Sequence, residues 1–383
     1  LSSGFGYPGR AQNPEGLHIG VDAVLYRQTG GGVEKAVFGA VNGLCQAFST
    51  RQHRLHVFAS PDLKNTMASE SNEKANFHTI SHGSRLARIV REQAFALTHR
   101  QIDLWHFLGY VAPQFLPHKP VVASVYDIIA LTHPHLCTRA NRVFYGLALP
   151  PTLRRADRIV VPSEYVKRRI AELFPATKDR IRALPLPLPV GDPNEGIEAS
   201  RGSSPERYLL AVGGLAEKKN VEFLLKAYTR LDSEIREGFP LYIAGHFAGR
   251  LLIYRKMAEE LGIERNVQLL GYMPDPALRN LYKNAALLLY PSLEEGYGYP
   301  PLEAMSLGVP AIVSDRGSLP EVAGAVGAIV SPLDVATFAR HITRLLTDPQ
   351  EYNRVSQHGK EKTPCLTWQD YGRHLMGIYE ELL

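Results

Sequence analysis

The chain has 383 residues, 45% of them apolar and 21% charged, the make-up of an ordinary globular protein and not of a disordered, fibrous or membrane-spanning one. Its length exceeds that of one usual domain and predicts two, of about 150–200 residues each. A formal charge of +5, from 43 Lys and Arg against 38 Asp and Glu, suits a small anionic substrate or weak attraction to anionic lipid without requiring either, and no nucleic-acid partner is expected.

Cys45, Cys137 and Cys365 lie far apart with no Cys-x-x-Cys or Cys/His ligand spacing, so neither a zinc site nor a disulfide framework is expected. No apolar run approaches a bilayer span and no basic-then-apolar leader is visible. A cytoplasmic setting follows, with peripheral membrane contact as an option. Basic residues are dense at Arg85–Arg91, Arg139–Arg142, Arg154-Arg155 and Lys167–Arg169, and read as solvated helix faces ahead of a membrane patch. The first residue is a leucine, as in a processed or trimmed start.

In chain order, residues 1–16 are rich in Gly, Ser, Pro and Asn and predict a flexible tail. Residues 17–188 then alternate short apolar strands with amphipathic helices. Strands are predicted at Leu17–Tyr26, Leu55–Ala59, Ile102–Phe107, Val121–Tyr126 and Arg158–Pro162. The helix Val33–Phe48 places Val33, Val37, Ala40, Leu44 and Phe48 on one face. Before it, Thr29-Gly30-Gly31-Gly32 forms a glycine turn. It is no Walker A, lacking Gly-Lys-Ser/Thr, and no Rossmann fingerprint, because Gly39 falls deep in the helix.

Residues 189–206 have no periodicity and predict an interdomain linker. In the second domain, 207–365, strands are predicted at Tyr208–Gly213, Leu241–Ala244, Val267–Leu270, Ala286–Tyr290, Ala311–Ser314 and Ala328–Val330. A helix over Val221–Leu231 follows Asn220, a favourable N-cap. The end, 366–383, carries Trp368, Tyr371, Leu375, Ile378 and Tyr379 at helical spacing, and could pack back on the first domain or stay on the second. Such alternation predicts two doubly wound parallel sheets, with ligands bound at strand carboxyl ends in a cleft.

The most informative segment is Glu294-Glu295-Gly296-Tyr297-Gly298-Tyr299-Pro300-Pro301-Leu302-Glu303-Ala304-Met305-Ser306-Leu307-Gly308. A buried strand turns through two glycines into a helix. Either proline suits its first turn and Gly308 the position past its last. A helix N-terminus after a glycine loop attracts anions. Glu295 and Glu303 cannot hold that anion, but both can accept from hydroxyls around it. Phosphate flanked by hydroxyls describes a nucleotide-sugar.

Seven residues separate Glu295 from Glu303, and this resembles the E-x7-E signature of family 4 of the retaining glycosyltransferases, which have the GT-B fold. Pro291-Ser292-Leu293, Pro310–Asp315 and Gly317–Val322 carry the likeness further. It is strong over 205–335 and weaker over 17–190. The resemblance implies transfer of a hexose from a nucleoside diphosphate sugar, GDP-mannose first and UDP-glucose second, to a glycan, lipid-linked or small-molecule hydroxyl. No cofactor or metal is implied, since lysine and the helix dipole would take a metal's part. A nucleotide-sugar epimerase and a non-catalytic nucleotide-sugar binder on the same fold are the alternatives.

Residue by residue, the resemblance makes Lys219 the diphosphate cation, preceded by Gly213 and Gly214, the latter where many relatives carry an arginine. Glu303 would accept from the ribose and Glu295 from the transferred sugar. Backbone N–H groups of Gly298, Tyr299 and Leu302 would hold the diphosphate, and Gly271, Tyr272 and Met273 would border the base. Gly30, Gly31 and Gly32 would approach the donor from the first domain. Asp127 would orient the acceptor hydroxyl or take its proton. Tyr126 stands where relatives commonly show histidine, and a phenol donates a hydrogen bond but is no base near neutral pH. His106, at a strand end, reads first as a packed strand-end histidine and second as a further candidate near the cleft.

Overall fold

A computed structural model describes residues 16–26, 31–48, 53–67, 75–81, 85–116, 119–188, 207–247, 249–324 and 327–383. The expected linker, and the expected tail except Gly16, lie outside the described residues.

The first sheet, among the described residues, has seven strands: β1 (His18–Ala23), β2 (Arg54–Ala59), β3 (Ala75–Thr79), β4 (Leu104–Phe107), β5 (Val121–Ser124), β6 (Arg158–Val161) and β7 (Ile181–Ala183). Their order is β3-β2-β1-β4-β5-β6-β7, with parallel pairing from β3 through β6. Every residue of β4 and β5 is buried, as a parallel sheet covered on both faces requires. Two of these strands were not expected from the sequence. β3, Ala-Asn-Phe-His-Thr, is a half-exposed edge strand with no apolar run, and β7 is three residues long, too short for a period to register. The first strand stops at Ala23, short of Tyr26, because the Asp22 carboxylate accepts from Val24 N at 3.0 Å and Tyr26 N turns back to the Ala23 carbonyl.

The second sheet contains β8 (Tyr208–Val212), β9 (Leu241–Ala244), β10 (Val267–Gly271), β11 (Ala285–Tyr290), β12 (Ala311–Ser314) and β13 (Ala328–Val330). It is parallel in the order β10-β9-β8-β11-β12-β13. The chain leaves β8 toward one edge and β11 toward the other, so the strand order reverses between them. This is the switch point at which doubly wound sheets bind ligands.

The chain divides into two compact units. One gathers the described residues up to Ser124 with Leu149–Val160 and Thr367–Leu383, and the other holds Val125–Ala148 and Val161–Leu366. Residues 125–148 and 161–188, which the sequence places with the first domain, thus group with the second. Within the first unit, helix Trp368–Glu380 lies against helix Gly32–Phe48. A Cβ on Gly39 would stand 2.1 Å from the Trp368 ring, one on Gly43 would stand 1.9 Å from the Trp368 carbonyl oxygen, and one on Gly372 would stand 2.2 Å from the Gly43 carbonyl oxygen. The glycine deep in the first helix therefore serves helix packing. Thr367 and Asp370 begin the last helix with a reciprocal capping box. Among the described residues no helix is long and apolar enough to cross a membrane.

Candidate donor site

At the switch point β11, buried at all six positions, gives way to the loop 291–298 and helix Tyr299–Ser306, with prolines in its first turn. Gly298 takes φ 114° and Gly308, just past the helix, φ 76°, a region open to glycine and strained for other residues. The loop is clamped from several sides. Ser318 donates through N and Oγ to the Glu295 carbonyl at 3.0 and 3.1 Å, and Oγ reaches the Tyr297 carbonyl at 2.6 Å. Ser163 Oγ donates to the Gly296 carbonyl at 2.8 Å, Ser314 Oγ to the Ser292 carbonyl at 2.5 Å, and Leu293 N to the Lys218 carbonyl at 2.8 Å. A Cβ on Gly296 would fall 2.0 Å from the Tyr126 carbonyl oxygen and 2.7 Å from Asp127 Cβ. The glycine of the motif thus admits the segment that carries Asp127.

Glu295 is 7% exposed. Lys219 Nζ donates to its Oε1 at 2.5 Å, Tyr290 Oη donates to the same oxygen at 2.9 Å, and Lys218 Nζ stands 3.6 Å from Oε2. Lys219 also donates to Tyr290 Oη at 2.5 Å. Burial alone would raise the Glu295 pKa, but Lys218, Lys219 and the phenol outweigh it and hold the carboxyl down to about 2. At Lys218 burial works to strip the proton, yet Glu295 and Asp127 carry its pKa above the usual lysine value. The cluster is a preformed, charged constellation at a strand end.

Glycines make room for it. A Cβ on Gly213 would sit 2.5 Å from Lys219 Cε. Gly214, at φ 76°, would meet the His246 carbonyl oxygen at 2.2 Å, so this backbone takes no side chain without moving. Asn220 departs from the expected N-cap. It is left-handed (φ 55°, ψ 44°), makes no cap bond, and its amide donates to the Pro332 carbonyl at 3.1 Å.

Glu303, 4% exposed, accepts from Tyr282 Oη at 2.7 Å. The expected Leu302 donor is a correction. In a helix beginning at Tyr299 the ladder bonds Leu302 N–H back to the Gly298 carbonyl, so it is used within the helix. Gly271 has φ 75° and its carbonyl accepts from Gly245 N at 2.7 Å. Tyr272 is half exposed and stacks on His246 at 5.0 Å between ring centroids, with Met273 next in the chain.

The remaining candidates fare differently. Gly31 and Gly32 start helix Gly32–Phe48, Gly31 N donating to Glu34 Oε2 at 3.3 Å; Gly30 lies outside the described residues. Asp127 Oδ1 accepts from Ile129 N at 3.1 Å, and Tyr126 is buried beside Gly296. His106 takes the packed alternative of its two readings. It is fully buried, with Nδ1 2.6 Å from Tyr379 Oη and Nε2 2.9 Å from Ser124 Oγ, and burial lowers its pKa to about 3.

Sequence reasoning missed several partners. Glu294 is buried, 3.7 Å from His133 Nδ1 and hydrogen-bonded by Tyr165. Burial, with the neighbouring charge of Glu295, raises its pKa. Glu321 accepts from Glu164 N and Tyr165 N, both at 2.8 Å, satisfying the start of helix Glu164–Leu173. Tyr290 reads only as part of a strand and Tyr282 is not singled out by the sequence, and the contact with each carboxylate is what gives them a role.

Two parallel doubly wound sheets, one with a cation-lined glycine loop at its switch point, match solved structures of the GT-B kind. The Anabaena Alr3699/HepE structure in complex with UDP and glucose has a TM-score of 0.71 at 15% identity, covering 95% of this chain and 100% of that one. Residues 195–362 match the family described as Glycosyl transferases group 1, and residues 30–190 match Glycosyltransferase Family 4. The chain belongs to glycosyltransferase family 4 and is a glycosyltransferase of the GT-B fold. It is 29% identical over 327 residues to the O-antigen chain mannosyltransferase B of Escherichia coli, covering 81% of this chain and 86% of that one. It is 30% identical to the serotype-specific mannosyltransferase WbdA of E. coli, of which it spans 38%.

Proposed function

We propose that the chain transfers a hexose, with retention of anomeric configuration, from a nucleoside diphosphate sugar to an acceptor hydroxyl, and that the donor is GDP-mannose, with UDP-glucose the second choice. The mannosyltransferase relatives support the sugar. The observation that carries the reaction is the buried Glu295 carboxylate, held ionised against Lys219 and Tyr290. Such a cluster, fixed before substrate arrives, stabilises developing charge without reorganising.

In this reading the sugar C1–O bond to the diphosphate breaks as negative charge grows on the leaving oxygen. Lys219 and the N-terminus of helix Tyr299–Ser306 neutralise that charge. The Glu295 carboxylate holds hydroxyls of the sugar and faces the positive charge that develops at its ring. The acceptor oxygen bonds C1 from the same face, and its proton passes to the departing phosphate oxygen. Asp127 orients that hydroxyl. In this reading no step calls on a metal, Lys219 and the helix N-terminus taking that part.

Incubation with GDP-mannose, UDP-glucose and a panel of sugar acceptors, read by NMR of the product's anomeric proton, tests the reading. An α-linked product from an α-linked donor, formed at the same rate in EDTA, is the expected result. A β-linked product, or 2-epimerised sugar from donor alone, contradicts it.

A further inference from the structure

We infer that Tyr282 is a positioning residue that makes this site read ribose against 2′-deoxyribose, by fixing Glu303 as an acceptor-only carboxylate. The inference rests on the reading of Glu303 as the ribose-binding group.

Tyr282 lies on helix Asp275–Asn284, immediately before β11, and Glu303 on helix Tyr299–Ser306 immediately after the loop. The phenol spans the two helices and donates to Glu303 Oε2 at 2.7 Å, with Tyr282 itself 1% exposed. A carboxyl group removed from water either finds donors or takes up a proton. Protonated, it could donate as well as accept, and would tolerate an absent sugar hydroxyl. Ionised, it is an acceptor only and leaves its partners to supply the O–H. The phenol favours the ionised form and also fixes the carboxylate plane. Two oxygens offer about four acceptor sites, and the bond from Tyr282 takes one of them and orients the group. Burial, followed by the charge of Glu303, raises the Tyr282 pKa well above the ordinary phenol value, so the phenol remains a donor throughout the working pH range. A site built to accept from a hydroxyl rejects the analogue that lacks it, because its buried acceptor is then left unpaired.

The test measures dissociation constants of GDP and 2′-deoxy-GDP, with UDP and 2′-deoxy-UDP in parallel, for the wild-type chain, Tyr282→Phe and Glu303→Gln. Wild type should prefer the ribonucleotide by about 10- to 100-fold, and both variants should bring the ratio to within about threefold of unity. If Glu303→Gln loses the preference and Tyr282→Phe keeps it, Tyr282 has no such role and the ribose site stands. A wild type that binds neither ribonucleotide, or binds both sugars alike, overturns the ribose reading itself and this inference with it. Should Tyr282→Phe not fold, 3-fluorotyrosine at position 282 serves instead. Its 19F resonance should move with GDP and much less with 2′-deoxy-GDP, and equal movement refutes the role.

Discussion

Glu295 has lost nearly all contact with water and is still held as an anion, with its pKa lowered from 4.5 to about 2. A carboxyl whose folded pKa is depressed stabilises the fold above its unfolded pKa, and that stability is lost as pH falls toward the folded value. From pH 5 to pH 8 it is fully present, so Glu295 should add no titration to the activity profile there. Replacing Lys219 by alanine should lower kcat by about 10²–10³-fold, the usual cost of one charge-stabilising donor, and should move the acid limb of the pH profile upward, because burial then raises the Glu295 pKa against fewer cations. Gly214 makes a different prediction. Its φ of 76° and the His246 carbonyl 2.2 Å from a would-be Cβ mean that Gly214→Arg cannot simply restore the arginine of relatives. Thermal denaturation should show a loss of more than about 1 kcal/mol, whereas an unchanged melting temperature would mean that the backbone adapts. At this scale the sequence was half legible. Glu295, Glu303 and Lys219 were singled out through the resemblance to family 4, while Tyr282, Tyr290 and Glu294 were not, because a tyrosine in an apolar strand and a glutamate in a loop look the same whether or not they meet a partner.

At the scale of elements, the strand–loop–helix unit owes its shape to bonds from outside itself. Ser318, Ser314 and Ser163 each donate to a carbonyl of the loop 291–298, and Glu321 satisfies two N–H groups at the start of helix Glu164–Leu173. Glu321→Ala removes both acceptors and should destabilise the fold by about 1–2 kcal/mol, the scale of a lost N-terminal cap, read by urea denaturation. An unaltered midpoint would show that water replaces the carboxylate without cost. The strands of the second sheet were readable because they are continuous apolar runs between glycines and prolines. Clamp residues were not, since a serine signals nothing about a carbonyl more than 20 residues away. Asn220 shows the opposite failure, a residue with the right propensity for a cap that the close packing of the chain sends instead to Pro332.

For the molecule as a whole, part of the acid sensitivity should come from the first unit. His18, His56 and His78 form a cross-strand ladder, with ring nitrogens 3.1 and 3.2 Å apart. Burial, then His18, His78 and His99, lower the His56 pKa to about 4. His106 is lowered further, to about 3. Each has an unfolded value of 6.5, so below that pH the unfolded chain binds more protons than the folded one. Stability therefore falls as pH drops from 6.5 toward 4, by roughly 1.4 kcal/mol per pH unit for each full proton of difference. Denaturation midpoints should decline steeply between pH 6.5 and 4, and His56→Asn should make the slope shallower. A midpoint independent of pH across this window would contradict the burial of these rings. The two-sheet architecture was legible from alternation alone. The grouping of 125–148 and 161–188 with the second unit was not, because it is set by contacts such as Gly296 against Tyr126 and not by any break in composition.

The central claim is that the turn after β11 cradles the donor's diphosphate between two carboxylates that bind sugars. Crystals soaked with GDP test it most directly. The account predicts diphosphate density at the backbone of Gly298 and Tyr299 within reach of Lys219, and ribose hydroxyls on Glu303. Nucleotide bound elsewhere, with that turn unliganded, would contradict it.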